Sequence, residues 1–262
     1  MESLAWPARI LPVLILALLT VTSAAQATDD PKLDQIRQRG HIRICADPSN
    51  LPFSSSDSDN PGFEVELASL IARELGVEPR FHWILTWVRP VWELRKGQCD
   101  LFMGLPPTAR FKESNPWIAI SRPYYTATYA IVAKSDTGIR GPEDLAGKRV
   151  AVDAGRPADY YLLEKGFQRG LYKRQEAAFR AVEVDEAPAA LLPLPIASWL
   201  ARGKPELRVI PLRELALEVA LGAATRAEDL ALTQAVDRAI ERLLASGAVD
   251  AILMRYGAIP PP

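Results

Sequence analysis

Three consecutive stretches decide how this chain folds: Ile42-Arg43-Ile44-Cys45-Ala46, Asp47-Pro48-Ser49-Asn50-Leu51-Pro52 and Gly62-Phe63-Glu64-Val65-Glu66-Leu67. In the first, Ile42, Ile44 and Ala46 alternate with Arg43 and Cys45, which is the period of a strand. The second is polar and proline-rich and forces a loop. From the third, Phe63, Leu67, Leu70, Ile71 and Leu75 recur at the spacing of one helical face until Gly76 supplies a C-cap. Outward from there, Pro31 to Gly40 reads as a short preceding helix. Arg80 to Leu85 is a second strand, Val88 to Lys96 a second helix ended by Gly97, and Asp100 to Met103 a third strand. Strands alternating with helices argue for a parallel sheet. Its ligands sit beyond the carboxyl ends of the strands, here in the loops after residues 46, 85 and 103.

The pattern restarts in the middle of the chain, with a strand at Lys148 to Asp153, a helix at Ala158 to Gly166 and an apolar strand at Ala189 to Leu192. Between the two units, Tyr124 to Lys134 is rich in Tyr, Thr, Ile and Val and suits a crossing strand. Glu218 to Ala223 is a candidate return. Two helices close the chain, one carrying Leu232, Val236, Ile240, Leu243 and Leu244, the other Val249, Ile252, Leu253 and Tyr256. The expectation is an α/β protein of two lobes, each a mainly parallel sheet flanked by helices, with a two-strand hinge. The first lobe would take residues 28–124 plus 219–262, the second 125–218. Two crossings permit hinged closure.

The formal net charge is −1, so no broad field attracts nucleic acid or acidic lipid, and charge selectivity must be local. At the amino terminus Arg9 precedes an apolar run from Ile10 to Val21 and the small-residue site Ala25-Gln26-Ala27, the pattern of a secretory signal peptide over residues 1–27. The run is shorter than the roughly 20 residues of a spanning helix. The folded part is therefore expected in the periplasm, exported through the Sec pathway. That compartment permits Cys45 and Cys99 to pair, while the expected strand offset between them argues against it, and the pairing stays open. The histidines, His41 and His82, fall in no metal-ligand spacing, and no metal or cofactor is expected.

Taken in order, several motifs carry a resemblance. They are the first strand with Asp47-Pro48 and Leu51-Pro52-Phe53, the Gly62 to Leu67 stretch, Gly97-Gln98-Cys99-Asp100, and Ser121-Arg122-Pro123-Tyr124-Tyr125. Asp144 to Val152 follows, then Leu244-Ala245-Ser246-Gly247 with Ile252 and Tyr256-Gly257. Across nearly the whole chain this resembles the family-3 extracellular solute-binding proteins, which include polar amino-acid receptors of ABC importers. The segment Cys45 to Ser54, with Cys99-Asp100, looks like a branch associated with quinoprotein alcohol dehydrogenases. The resemblance implies a two-lobed, type II-like periplasmic-binding-protein fold. It also implies a monomer that takes a small ligand between its lobes and works with an ABC permease or, in the branch reading, docks to a periplasmic quinoprotein dehydrogenase.

Family members that bind amino acids hold the α-carboxylate with an arginine after the third strand. The residue that matches is Arg110, with Thr108 beside it, although Pro106 and Pro107 stand where small hydroxyl residues are usual and cannot donate backbone hydrogen bonds. Arg110 reads either as that anchor or as a solvated loop residue. In the second lobe Gly155-Arg156-Pro157 opens a helix, whose amino terminus together with Arg156 attracts an anion. Where amino-acid receptors of the family carry an aspartate for the ligand's amino group, this chain has Pro193, which argues against a standard α-amino acid and for an anionic, carboxylate ligand. Phe53, Trp83, Trp87 and Tyr124 are candidate aromatic walls, and Asp47 and Glu64 lie beside the first loop. Some proteins of this fold are dehydratases, but no catalytic motif is present and a non-enzymatic protein is expected.

Overall fold

A computed structural model describes residues 1–2, 31–84 and 91–259; the proposed signal peptide and Trp87 lie outside the described residues. Helix α1 (Pro31–Arg39) leads into β1 (His41–Ala46), a small hairpin β2 (Ser49–Asn50) and β3 (Ser54–Ser55), then α2 (Phe63–Glu74) and β4 (Glu78–Trp83). Next come α3 (Trp92–Arg95), β5 (Leu101–Leu105), α4 (Ala109–Ser114) and the long β6 (Ile118–Ala127). The second unit holds β7 (Tyr129–Lys134), β8 (Arg149–Asp153), α5 (Pro157–Glu164), β9 (Gln168–Tyr172), α6 (Gln175–Glu183), β10 (Ala189–Pro193), α7 (Leu194–Leu200) and β11 (Leu207–Pro211). The chain returns through β12 (Val219–Arg226) and ends in α8 (Leu230–Ala245) and α9 (Ala248–Arg255).

These strands build two five-stranded sheets, ordered β4-β1-β5-β12-β6 and β11-β7-β10-β8-β9. The expected α/β architecture is present, with sheets more evenly mixed than expected. In the first, β1 runs parallel to β4 and β5, while β12 is antiparallel to β5 and β6. In the second, β8 is parallel to β9 and β10, while β7 is antiparallel to β10 and β11. The antiparallel partners are the strands that carry the chain out and back, and a chain that leaves must return in the opposite sense. The crossing falls at Thr128 and not before Tyr125, because Tyr125, Thr126 and Ala127 still pair with β12.

Each sheet buries its apolar residues under helices. Ile42, Ile44, Leu101 and Met103 pack under Phe63, Leu67 and Ile71 of α2 and under Leu232, Val236 and Ile240 of α8. In the second lobe Ile131, Val150, Val152 and Leu191 face α5, and Val132, Ala151, Ala190 and Leu192 face α6 and α7. Burying a side chain of this size stabilises by about 1.5–3 kcal/mol relative to exposure.

Two features lock the first lobe further. Asp100 is buried and accepts hydrogen bonds from the Arg43 backbone N–H at 2.9 Å, from Arg43 Nη2 at 3.0 Å and from Arg39 Nη2, while Lys32 Nζ stands 2.7 Å away. Burial alone would raise this carboxyl, but the Arg43 and Lys32 partners outweigh it and hold it down at about 2. Beside it, Cys45 and Cys99 form a disulfide with Cα atoms 5.6 Å apart, which settles the pairing that the sequence left open. The expected offset does not arise. The chain turns at Gly97 and Asp100 donates its N–H to the Arg43 carbonyl, so Cys99 comes up under β1 before β5 begins.

The lobes also touch away from the crossing strands. Trp199 of α7 packs on the first lobe's core and stacks on Tyr256, the C-cap of α9, with centroids 5.9 Å apart, and the Arg202 guanidinium lies over the Trp199 ring, 4.1 Å from its centroid.

Candidate functional site: a cavity between the two sheets

Between the lobes lies a cavity of about 450 Å³ whose wall takes residues from both sheets. That volume suits a small molecule. The first lobe supplies the ends of β1 and β5, the loop after β1 and the start of α2; the second supplies the starts of α5, α6 and α7. The wall therefore lies where strand ends and helix starts meet, as the order of elements implies.

Asp47 is 4% exposed and lines the cavity. Its Oδ1 accepts from the Ser49 backbone N–H at 2.9 Å, which closes the turn after β1. Phe53, also on the wall, packs on Phe63 with ring centroids 4.9 Å apart. Two glycines make room for the third residue, Glu64. Gly62 has φ +89°, and a Cβ there would lie 2.4 Å from the Phe53 carbonyl oxygen; Gly104 has φ +81°, and a Cβ there would lie 2.5 Å from Glu64 Oε1. Glu64 thus sits in the second position of α2 with its carboxyl pressed against the β5 backbone, accepting a hydrogen bond from the Tyr124 hydroxyl at 2.7 Å. Burial raises this carboxyl to about 7, against the opposing pull of the Tyr124 bond. Burial and the Glu64 charge push the Tyr124 hydroxyl up as well, so it stays a donor. Tyr124 does not reach the cavity; it holds Glu64 in place from behind.

From the second lobe, Arg156 caps α5, with Pro157 in the first helical position, and both line the cavity. Arg156 Nε donates to Asp153 Oδ2 at 3.3 Å. Pro193 also lines the wall, as N-cap of α7.

Two expected ligand residues stand elsewhere. Thr108 is exposed and caps α4, accepting from the Phe111 N–H at 3.3 Å, and Arg110 is exposed on the first turn of that helix; neither is on the cavity wall. The prolines after β5 turn the chain straight into α4 and aim the arginine into solvent. Trp83 is 37% exposed and stacks on Phe81, and of this pair it is Phe81 that reaches the wall. Sequence reasoning misses Phe81, Tyr129 and Gln175. The position of Gln175 at the start of α6 is the available signal, since Ala178, Phe179, Ala181 and Val182 mark that helix by their helical spacing.

The fold and this cavity define a two-lobed receptor for a small molecule, built to take its ligand between α/β sheets. Residues 42–259 match the model of the bacterial extracellular solute-binding proteins, family 3, and the chain belongs to that family. It is similar to the arginine-binding extracellular protein ArtP of Bacillus subtilis, with 27% identity over 211 residues, covering 78% of this chain and 81% of that protein. Among solved structures it resembles an ancestral cationic amino acid solute-binding protein, AncCDT-1, with TM-score 0.75 and 27% identity over 86% of this chain and 99% of that one. A shorter stretch, 38% of this chain and 34% of the relative, is 27% identical to protein MoxJ of Paracoccus denitrificans.

Proposed function

We propose that this protein captures a small polar solute in the periplasm and presents it to an ABC importer, without catalysing a reaction. The observation that carries the reading is the division of polar groups across the cavity. The first lobe presents the acceptors Asp47 and Glu64, and the second presents Arg156 at a helix amino terminus. An anionic group belongs with Arg156, where a guanidinium and a helix start both favour it. A donor or cationic group belongs opposite, near Asp47 and Glu64. With Pro193 where the family's amino-acid receptors have an aspartate, the carboxylate beside the anion site is Asp153, which Arg156 already engages at 3.3 Å. The solute that fits best is a carboxylate whose donor group is remote from it. ArtP and AncCDT-1, whose names specify arginine and cationic amino acids, support the remote cation, although those ligands also carry an α-ammonium group.

A thermal-shift panel on the protein lacking residues 1–27 tests the reading with 4-guanidinobutyrate, 5-aminovalerate, L-arginine and succinate. A ligand at 100 times its dissociation constant adds about 2.7 kcal/mol, or roughly 5–10 °C. The first two are expected to stabilise most; a flat response to all four would count against solute capture. The likeness of Cys45 to Ser54 to the dehydrogenase-associated branch, with the partial MoxJ match, favours a second reading in which the same fold docks to a periplasmic quinoprotein dehydrogenase. Under that reading the panel is silent and the protein co-sediments with the dehydrogenase.

A further inference from the structure

Tyr129 is the first residue of β7, just past the crossing, and its ring is buried against the second lobe's core (6% exposed). A buried phenol normally finds a partner for its hydroxyl. Here, among the described residues, the Tyr129 hydroxyl has none, and it is not sealed from the cavity. Tyr129 lines both the main cavity and a narrow side recess that opens beside it. Arg156, Gln175, Asp153 and Pro193 complete the polar part and lip of that recess. Gln175, half-buried in the first position of α6, likewise has no side-chain partner among the described residues.

Building on the solute-binding reading, we infer that Tyr129 is a specificity-determining residue, donating its hydroxyl hydrogen bond to a carboxylate of the bound solute alongside Gln175 and Arg156. The chemistry of the recess sets the class. Burial pushes the Tyr129 hydroxyl up to about 12, with Arg156 lowering and Asp153 raising it, so it is a donor throughout the physiological range. Gln175 offers an amide N–H, and Arg156 offers the guanidinium N–H groups that Asp153 leaves unused. All three donor residues line the main cavity beside the mouth of the recess. A carboxylate has about four lone-pair sites to receive them, whereas a carboxamide has one carbonyl oxygen and adds two donors of its own. This set of donors therefore discriminates a carboxylate from its amide or an alcohol, a distinction the arginine alone makes less sharply because Asp153 partly neutralises it.

The test is a calorimetric titration of wild type and Tyr129→Phe with two matched pairs, 4-guanidinobutyrate against 4-guanidinobutyramide and succinate against succinamide. The variant is expected to weaken the carboxylate that wild type binds by about 10- to 100-fold, the range for a hydrogen bond to a charged group, and to change the amide's affinity by less than about threefold. A purely structural role would weaken acid and amide alike, and that outcome, or unchanged affinity for both, overturns the inference while leaving solute binding intact. Wild type binding none of the four overturns the solute-binding reading and this inference with it. Should Tyr129→Phe fold poorly, Gln175→Ala, at a helix start, carries the same test and should show a carboxylate-selective loss of about 3- to 10-fold.

Discussion

The two lobes share an architecture but differ in what holds them and in what they offer the cavity. The first is fastened by a disulfide and by a buried carboxylate that gathers Lys32, Arg39 and Arg43, and it turns acceptors, Asp47 and Glu64, toward the cleft. The second, among the described residues, has no disulfide and only a smaller carboxylate hub, the buried Asp159 with Arg169 and the Gly155 N–H. It relies on apolar cores on both faces of its sheet, and it turns donors, Tyr129, Arg156 and Gln175, toward the same space. The difference teaches a separation of tasks. On the solute-binding reading the first lobe serves as the platform and the second as the jaw, whose Tyr129 hydroxyl and Gln175 amide gain partners when a solute bridges the gap. A bridging solute favours closure by its better contacts in the closed state.

The largest expected effect lies in the platform. Asp100→Asn strips the shared partner from three cations and should cost about 3–5 kcal/mol, seen as a lowered midpoint in chemical denaturation. If the cost is no greater than that of an ordinary surface change, the hub is not a fastening. Replacing Cys45 and Cys99 by serine releases a closure of 54 residues, for which chain entropy gives about 4 kcal/mol, so the melting temperature should fall by on the order of 10 °C. Neither change should alter carboxylate-over-amide selectivity, since both lie in the other lobe from the recess.

The pH dependence separates two carboxyls of the same lobe. Asp100, held near 2, contributes stability above its ordinary 3.8 and loses it as pH falls from there toward 2. Glu64 acts in the opposite sense. The unfolded chain releases this proton near 4.5 and the folded protein keeps it until about 7, so across that window the unfolded state binds fewer protons and stability falls as pH rises. The full span is about 3 kcal/mol. Glu64→Gln should flatten the decline between pH 4.5 and 7 in melting curves; an unchanged slope would assign the decline to other groups.

Much of this fold is legible in the order of residues alone. The alternation of Ile42 to Ala46 and the helical spacing from Phe63 to Leu75 place β1 and α2 because each buries one regular face, and the apolar run after Lys148 places β8 because that strand is buried on both faces. In β9 only Gly170 is buried, so no alternation marks the strand; α6 does bury a stripe, Ala178, Phe179, Ala181 and Val182, but one short and alanine-rich that the sequence expectation omits. In the site, Asp47, Phe53, Glu64 and Arg156 can be picked out because each borders a loop that follows a strand. Tyr129 cannot, since spacing does not say which of Tyr124, Tyr125 and Tyr129 ends in the cavity. Arg110 is carried over by motif, and motif does not record that Pro106 and Pro107 redirect the chain into α4.

A smaller effect concerns the contact between the lobes. Trp199, in contact with both Tyr256 and Arg202, ties the jaw to the platform, and Trp199→Ala should lose about 1 kcal/mol of that contact. It should also enlarge the radius of gyration in solution scattering. An unchanged profile would show that the crossing strands alone set the angle.

The separation of acceptors and donors is tested most directly by titrating 4-guanidinobutyrate into wild type, Glu64→Gln, Arg156→Ala and the double variant by calorimetry. Wild type is expected to bind, and Arg156→Ala to weaken binding by about 10-fold or more. Glu64→Gln should weaken it by a smaller factor, and the double variant should combine both losses. Wild-type affinity retained in Arg156→Ala, or no binding by wild type, would contradict the division of charge between platform and jaw.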